Sequence, residues 1–446
     1  MAPSSKKPGN NGRIDANSNL GYIKSSYPGL QSSGQRGKPF PNIFDWLEVK
    51  KRDDNVGPYW RVHDKLYDLD EFIAKHPGGP DWLRYSKGMD ITEAFESAHV
   101  IGGGKVNQIL AKYYVKDVNF KRNSPFTFKE DGFYKTLKRR VEPVLKEIGT
   151  GFSPEILRLQ DSLALGYVTF ALLGVWSGSK LLQILAGILL GMCSIGGHNF
   201  LHKADNWRQY YFDLSPLSSF EFRLTHHMSH HMFPNTILDF EVQTAEPLIQ
   251  WLPSPSKNFV QKYLAPIYFY GLYAIFTLTQ LIGRIRSIVL GKQAVRPENF
   301  IIFVEFGIIF MLSETYWAGL TASLTIVMVG SFWFVFVGFA HHHPNSFHDG
   351  DEARPDPDFG LCQLDATHGK SDNFHKPLLS ILTTFGQHPM HHLFPTVCHS
   401  KLEALKPIVH QVLAEFEEKL PLLSQFELFM GAQVQMGRSK PNAWRK

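Results

Sequence analysis

Histidines are the residues whose number and spacing most directly indicate chemistry in this sequence. The chain has 20 histidines among 446 residues, and many of them fall in three short boxes. The boxes are HNFLH with His198 and His202, HMSHH with His227, His230 and His231, and HPMHH with His388, His391 and His392. Positions i, i+3 and i+4 share one face of a helix, so each box would aim its imidazoles at one point. The spacing therefore predicts metal binding.

The ligand type limits the kind of metal site. Imidazole ligands suit iron, zinc or copper, so the histidines alone leave the metal open. A structural zinc site would use four ligands, usually including cysteine, and none of the three cysteines (Cys193, Cys362 and Cys398) is suitably placed. Eight histidines are too many for one ion. The boxes therefore favour a dinuclear centre.

A second histidine pair, His76 and His99, lies within HPGGPDWLRYSKGMDITEAFESAH. Two histidines on the axial positions of a haem iron leave no place for oxygen, which suits electron transfer. An isolated HPGG could equally be a Pro-Gly turn beside a surface histidine. However, the upstream stretch YWRVHDKLYDLDEFIAK and the intervening GMDITEAFE make residues 41–118 similar to cytochrome b5. That resemblance implies a b-type haem with His76 and His99 as its ligands.

Long uncharged runs after about residue 157 must position the boxes. Residues 162–179 and 181–197 predict a membrane hairpin, because 17 or 18 helical residues nearly cross a hydrocarbon core of about 30 Å. Further apolar runs cover 263–283, 300–312 (interrupted by Glu305) and 315–340. His198 directly follows the second run, and ionisable residues at membrane boundaries are candidates for functional sites.

Sidedness predicts which runs cross the membrane. All boxes must face one side to share a centre, so an even number of crossings must separate His231 from the end of the last run. Three runs lie in that interval. Residues 263–290 are rich in aromatics and end in the basic IGRIRS, as an interfacial helix would. Four crossings remain, and the basic residues of 284–296 place that segment and both termini in the cytosol.

The predicted architecture is multi-domain. Residues 1–40 predict a disordered tail, 41–118 a small α+β haem domain, 119–156 a basic amphipathic linker, and 157–446 an all-α membrane domain. The linker would be either a solvated connector or a helix on an anionic membrane surface. A net charge of +5 excludes a dedicated nucleic-acid-binding protein.

Several stretches of the membrane domain resemble one enzyme family. HHMFPNT, FVFVGFAHHHP, CQLDAT and HHLFPTV are similar to front-end fatty-acyl desaturases with a fused N-terminal cytochrome b5. The resemblance covers nearly the whole chain beyond the tail. It implies an endoplasmic-reticulum membrane enzyme with two non-haem iron ions besides haem b. The implied iron ligands are the eight box histidines and His342 of the HHHP motif.

Three sites depart from the family's pattern. Asn199 stands where the first box usually has Asp, which removes a carboxylate that could orient a ligand, and so predicts weaker metal binding. His388 stands where front-end members usually have Gln, a difference that concerns regiochemistry. Asp239 and Glu241 replace the family's DPD, and the simplest interpretation of that stretch is a solvated loop.

The resemblance implies O2-dependent desaturation of an acyl lipid, with electrons passing from NADH-cytochrome b5 reductase through the haem. Two alternatives stay open: an acyl or sphingoid hydroxylase with the same centre, and a non-enzymatic membrane-anchored b5 electron carrier that has lost its iron. A transporter with histidine proton relays is disfavoured, because the boxes lie just beyond the apolar runs and not within them.

Overall fold

A computed structural model describes residues 22–34, 39–339, 342, 346–371 and 377–444. Much of the predicted disordered tail lies outside these ranges. Within them, strands and short helices of the N-terminal part are followed by a largely helical remainder. The predicted class, a small α+β domain before an all-α membrane domain, is confirmed.

Residues 22–34 are ordered, so the prediction of a disordered tail is wrong for this stretch. Strands β1 (Ile23–Lys24) and β2 (Gln31–Ser32) pair in antiparallel fashion. Tyr27 between them is only 2% exposed and packs against Phe347. The backbone N–H of Ser26 donates to the Asp349 carboxylate. An aromatic anchor and a hydrogen bond therefore hold a polar segment that lacks hydrophobic periodicity.

The haem domain consists of a three-stranded sheet and short helices. Its elements are α1 (Ile43–Asp54), β3 (Trp60–Val62), β4 (Lys65–Tyr67), a 3-10 helix (Asp70–Lys75), α2 (Pro80–Ser86), α3 (Thr92–Ala98), α4 (Gly103–Ala111) and β5 (Tyr114–Asp117). The strands pair antiparallel in the order β3-β4-β5. His76 ends the 3-10 helix and His99 ends α3, so both ligand candidates lie at helix termini.

The remainder of the described chain is mostly helical. The elements up to the last long helix are α5 (Phe133–Ile148), α6 (Pro154–Trp176), α7 (Lys180–Leu201), a 3-10 helix (Trp207–Leu214), α8 (Ser219–Phe222), a π-helix (Arg223–His230), α9 (Phe240–Gln243), a π-helix (Val260–Leu264), α10 (Ala265–Val289), a 3-10 helix (Pro297–Phe300), α11 (Ile301–Leu312) and α12 (Tyr316–Phe339). After them come α13 (Phe359–Ala366), β6 (Gly369–Lys370), α14 (Leu378–Thr383), α15 (His388–Leu393), α16 (His399–Leu402), a 3-10 helix (Glu403–Leu405), α17 (Lys406–Glu415), β7 (Leu422–Leu423) and α18 (Gln425–Gly437).

Glycines let α7 and α12 pack closely. A Cβ at Gly187 would lie 2.6 Å from the Cβ of Val329, and one at Gly191 would lie 2.8 Å from the carbonyl oxygen of Gly330. Helix association in a bilayer relies on such close backbone approach, since lipid offers no hydrophobic driving force. The packing holds the first histidine box, at the end of α7, beside the end of α12.

Four helices are long and apolar enough to cross a membrane, within the described residues: Pro154–Trp176, Lys180–Leu201, Val260–Val289 and Tyr316–Gly338. The number of candidate membrane helices equals the four crossings that the sequence predicts. The four helices selected by length and composition include α10, however, and omit α11. At 12 residues, α11 is about 18 Å long. The sequence predicts α10 as the interfacial helix and α11 as a crossing. By length alone, α10 is the better candidate for a crossing.

Side-chain contacts of α10, in contrast, favour the interfacial assignment. Near its start, the ring of Tyr270 lies 6.2 Å from that of Phe429 in the C-terminal helix α18. Near its end, Arg284 donates to the carbonyl of Leu217, in the loop between the first two boxes. Lys292, just beyond the helix, forms an ion pair with the haem domain. Both ends of α10 therefore contact elements on the histidine side.

Helix α11 instead enters between two of the long helices. Glu305 accepts a hydrogen bond from Tyr167 of α6, and Phe310 stacks on Tyr316 at the start of α12. The preceding 3-10 helix, PENF, carries polar residues and ends in Phe300 directly before α11. The contacts of α11 with α6 and α12 place it among the long helices.

The predicted linker helix α5 is part of the core. Its apolar stripe, Phe133, Tyr134, Leu137, Val141 and Leu145, is fully buried. The Tyr134 hydroxyl donates to the carbonyl of Leu393 at the end of α15. Its polar face meets the haem domain, where Lys135 and Lys138 both bind Glu96. Neither the solvated connector nor the membrane-surface helix describes α5, because its apolar stripe is buried in protein and two of its lysines bind the haem domain, although Arg139, Arg140 and Lys146 remain exposed.

Glu96 joins the haem domain to α5, and Glu96→Gln is expected to weaken that contact. Although burial alone would raise the pKa of Glu96, its bonds to His63, Lys138 and Lys135 outweigh burial and hold that pKa well below its ordinary value. A carboxyl group whose pKa is lowered by folding stabilises the folded state at pH values above the ordinary carboxyl pKa. This stabilisation is lost as the pH falls toward the lowered pKa. Removing one partner of a buried pair costs about 3 kcal/mol.

Thermal unfolding of the haem domain, followed by haem absorbance, measures this prediction. Glu130→Gln is the matched control, because Glu130 is 82% exposed and pairs with Arg139 of α5 and, at 3.9 Å, with Lys135. We expect the control to change stability by less than about 0.5 kcal/mol. We also expect the gap between wild type and Glu96→Gln to shrink in acid. Equal stabilities of the two variants at neutral pH would contradict the assignment.

Candidate functional site

The imidazoles of His76 and His99 lie close together in the haem domain, and the space between the two rings is called the haem slot. Their ring centroids lie 6.4 Å apart, with the ring planes at 77°. Nδ1 of His76 bonds the carbonyl of Gly79 at 3.0 Å, and Nδ1 of His99 bonds that of Phe95 at 2.9 Å. These bonds fix the orientation of both rings and leave Nε2 as the free donor atom.

This spacing fits a haem iron. Two imidazoles bonded in line to one iron would have ring centres about 6.2 Å apart, given Fe–N bonds of about 2.0 Å and about 1.1 Å from each nitrogen to its ring centre. Burial lowers the pKa of His76 and of His99 and so favours the neutral rings that bind metal. The pair therefore suits a six-coordinate haem.

The histidine boxes converge in two adjacent groups. In the first, one ring nitrogen from each of five histidines lies within 4.8 Å of the others: His198, His202, His226, His231 and His391. In the second, the same holds for His230, His342 and His392. Stacking of His231 on His392, with centroids 4.2 Å apart, joins the two groups. Each of these neighbouring groups offers several imidazoles to one ion, and the dinuclear centre stays a prediction.

Distances within the groups fit metal coordination. Nε2 of His198 lies 2.9 Å from that of His202, and Nε2 of His230 lies 3.1 Å from that of His342. Two nitrogens on one ion, at right angles and about 2.1 Å from it, would be about 3.0 Å apart. Within the described residues, both ring nitrogens of His391 are buried and have no hydrogen-bond partner. A bound ion or an ordered water would satisfy buried polar atoms of this kind.

A π-helix changes which histidines of the second box lie inside. Residues Arg223–His230 form a π-helix, in which backbone hydrogen bonds join residues five apart, as His231 N–H and the His226 carbonyl are. His226 and His231, five apart, therefore converge, with Nε2 atoms 3.0 Å apart. The predicted ligand His227 lies at the edge, where its Nδ1 is 3.0 Å from Nδ1 of His202. His226 escaped the sequence analysis because the i, i+3, i+4 pattern assumes an α-helix.

His388 of the third box also lies at the edge of the site. Its Nε2 is 2.7 Å from Nε2 of His342, the ligand predicted from the HHHP motif. All nine predicted ligands are therefore in or next to the two groups. Burial and neighbouring histidines hold the pKa of His231, and likewise that of His392, well below its ordinary value. Neutral imidazole is the form that binds metal.

Asp239 and Glu241 orient two of these histidines, so the interpretation of their segment as a solvated loop is wrong. Asp239 is fully buried and accepts from Nδ1 of His230 at 2.9 Å. Glu241 accepts from Nδ1 of His226 at 2.8 Å. Burial alone would lower the pKa of His230, but the two carboxylates raise it to about 9. Carboxylate–histidine pairs of this kind fix ring orientation and raise ligand basicity.

We expect Asp239→Asn to weaken metal binding about 10- to 100-fold, the usual cost of losing an outer partner of a ligand. The Asp239 side chain also caps α9, and an amide oxygen can still accept from Glu241 N–H. Titration against a competing chelator measures the affinity. Asp356→Asn, at an exposed carboxylate paired with Lys129, is the control. Equal affinity in the two variants would remove Asp239 from the site.

An apolar cavity of about 70 Å³ adjoins the histidines. Its apolar wall consists of Phe222, Val242, Phe334, Val335, Gly338 and Phe385, and its polar wall includes His226, His230, His342 and His388. Phe334 could not be told from an ordinary core aromatic in the sequence. A hydrophobic space that opens on metal-binding side chains suits an alkyl group.

Comparisons with known proteins agree with this geometry. The family model "Fatty acid desaturase" matches residues 174–421, which is more than half of the chain, and the model "Cytochrome b5-like Heme/Steroid binding domain" matches residues 45–119. The chain belongs to the fatty acid desaturase family. Its b5 domain implies haem, and membership of this family, with four candidate membrane helices, implies iron and a multi-pass membrane protein.

Relatives within the family cover most of the chain. The "Cytochrome b5-related protein" of Drosophila melanogaster is 36% identical, over 89% of this chain and 92% of its own. The "Acyl-lipid (8-3)-desaturase" of Mortierella alpina is 25% identical, over 85% of this chain and 92% of its own. The "Delta(5) fatty acid desaturase A" of Dictyostelium discoideum is 26% identical, over 83% and 88%. No solved structure matches. The predicted resemblance to b5-fused front-end desaturases is confirmed.

Asn199 keeps an orienting role despite its departure from the family's Asp. Its Oδ1 accepts from Nδ1 of His399 at 2.8 Å. The His399 ring in turn stacks on that of the ligand candidate His391, with centroids 4.8 Å apart. Burial lowers the pKa of His399 to about 4, so its ring is neutral and Nδ1–H can donate. The amide oxygen thus supplies the hydrogen bond of a carboxylate, without its negative charge.

Proposed function

We propose that this protein is an O2-dependent di-iron desaturase of fatty-acyl chains that draws electrons through its own b5 haem. The observation that carries the proposal is the pair of histidine groups beside the apolar cavity. In the proposed setting the protein lies in the endoplasmic-reticulum membrane with both termini cytosolic. NADH-cytochrome b5 reductase is the proposed donor to the haem.

Iron would be held by the two histidine groups and supplies redox chemistry toward O2. The overall reaction converts a CH2–CH2 unit and O2, with two electrons and two protons, into CH=CH and two molecules of water. The protein's own contribution is positioning. Asp239 and Glu241 hold two imidazoles in orientation, and Phe222, Phe334 and Phe385 exclude water from the cavity.

A hydroxylase with the same centre remains the second candidate, because insertion of oxygen and removal of a second hydrogen need the same ligands and cavity. The third is a membrane-anchored b5 electron carrier. The relative at 36% identity carries the name of a b5-related protein and no reaction. The convergence of all three boxes, with His391 nitrogens unpaired among the described residues, supports a metal site and disfavours the carrier.

Product analysis separates these candidates. The chain would be expressed in a host without the activity, supplied with deuterium-labelled fatty acids, and its lipids analysed by mass spectrometry. We expect products that have lost two hydrogens. Products that have gained one oxygen would indicate the hydroxylase. Unchanged lipids from a protein loaded with haem and iron would indicate the carrier. A His231→Ala, His391→Ala double variant controls for host enzymes.

A further inference from the structure

Trp82 of α2 lies between the haem pair and the metal cluster. Its indole packs against the imidazole of His227, with ring centroids 4.5 Å apart. His227 in turn has its Nδ1 3.0 Å from Nδ1 of His202, a member of the first histidine group. A side chain of the haem domain is therefore only two imidazole rings from the centre of the cluster.

On its other side, Trp82 reaches the haem ligand through Gly78. The indole Nε1–H donates to the Gly78 carbonyl at 2.8 Å. A Cβ at Gly78 would lie 2.9 Å from Cε1 of His76 and 3.5 Å from Cδ1 of Trp82. The absence of a Cβ at Gly78 therefore allows both the imidazole and the indole to lie close to this backbone position. The route from His76 to His202 runs along the backbone from His76 to Gly78, then through the hydrogen bond from Trp82 to Gly78, the ring contact of Trp82 with His227, and the 3.0 Å approach of His227 to His202.

Arg223 fixes the indole against the membrane domain. Its guanidinium lies over the Trp82 ring, 4.9 Å from the centroid, and its Nε donates to the carbonyl of Leu201 at 2.9 Å. Its other end pairs with Asp205, whose carboxylate is 3.2 Å from the position of a Cβ on Gly79. The HPGG turn and the end of the first box are thus held together around Trp82.

We propose that Trp82 is the bridge for electron transfer from the b5 haem to the non-haem metal centre. The inference rests on the proposed function, since it needs both cofactors. Each passage oxidises the haem iron from ferrous to ferric and reduces one ferric non-haem ion to ferrous. The indole couples the two sites without itself gaining or losing an electron, and it transfers no proton or atom.

Reoxidation of the haem tests the proposal without measuring product. The full-length protein, with haem and iron, is reduced, mixed with O2 and followed at the haem absorption bands. The His391→Ala variant, which retains haem but lacks the non-haem metal, gives the rate of direct haem oxidation by O2. This rate is subtracted from the rate of each other protein. We expect Trp82→Leu and Trp82→Met to slow the metal-dependent rate about tenfold. Haem content and haem midpoint potential should stay those of wild type.

Trp46→Phe is the matched control. Trp46 also joins the two domains, by donating its Nε1–H to the carbonyl of Leu238, but it does not contact the haem ligands. A wild-type rate in either Trp82 variant, equal slowing in Trp46→Phe, or loss of haem from both Trp82 variants would overturn the bridge. A wild-type protein whose haem reoxidises no faster than His391→Ala would contradict the proposed function itself.

Discussion

Replacement of His391 by alanine is expected to remove the non-haem metal and abolish lipid oxidation while one haem per chain remains. His391 is 1% exposed, and neither of its ring nitrogens has a hydrogen-bond partner among the described residues. Its ring contacts those of His198, His202 and His231, with centroids less than 5 Å away. Losing an outer partner costs about 10- to 100-fold in affinity, so losing a ligand should cost more than about 100-fold.

Metal analysis and haem absorbance on one sample measure this effect. His410→Ala is the matched control, because His410 lies on the exposed side of α17, outside both histidine groups. We expect the control to keep wild-type metal content and product formation. If His391→Ala retained its full complement of non-haem metal, the convergence of the three boxes would have another explanation, such as a buried polar core.

Replacement of His99 by alanine is expected to release most of the haem and to stop delivery of electrons from the reductase. A single axial ligand, His76, would remain, and the slot between the two rings would lose one wall. The non-haem metal should stay, because His99 contacts neither histidine group. Lipid oxidation should therefore fall to the level supported by electrons that bypass the haem.

His63→Ala is the matched control within the haem domain. His63 is the remaining histidine of residues 41–118, and its Nε2 bonds Glu96 instead of facing the slot. We expect this variant to keep one haem per chain. Haem content measured by absorbance distinguishes the two variants. Retention of a six-coordinate haem spectrum by His99→Ala would show that another residue supplies the second ligand.

Local patterns allowed much of the site to be predicted from the sequence. HPGG and the three boxes are short motifs whose chemistry depends on residue type and spacing. In the structure His76 of HPGG lies near His99, and the histidines of the three boxes converge. The argument that boxes sharing one centre must lie on one side predicts four crossings, and four candidate membrane helices are found, although by length and composition the set contains α10 in place of α11. The contacts of α10 support the interfacial helix chosen on that argument.

Features that depend on tertiary contacts could not be predicted in the same way. His226 enters the cluster through the wider turn of a π-helix, which hydrophobic periodicity does not reveal. The sequence around Asp239 predicts a polar loop. Its burial against His230 arises from tertiary contacts that the local sequence does not show. Helix α5 has the composition of a surface helix, yet Glu96 of another domain pairs with its Lys135 and Lys138. In each case the partner is distant in sequence or the local geometry is irregular.

Iron and haem per chain, measured in one sample of the purified full-length protein, test the central claim most directly. The two histidine groups and the haem slot predict about three iron atoms per chain, one of them in haem. A value of one iron per chain, all of it in haem, in a folded and carefully handled sample would contradict the account. The protein would then be better described as a membrane-anchored b5 electron carrier.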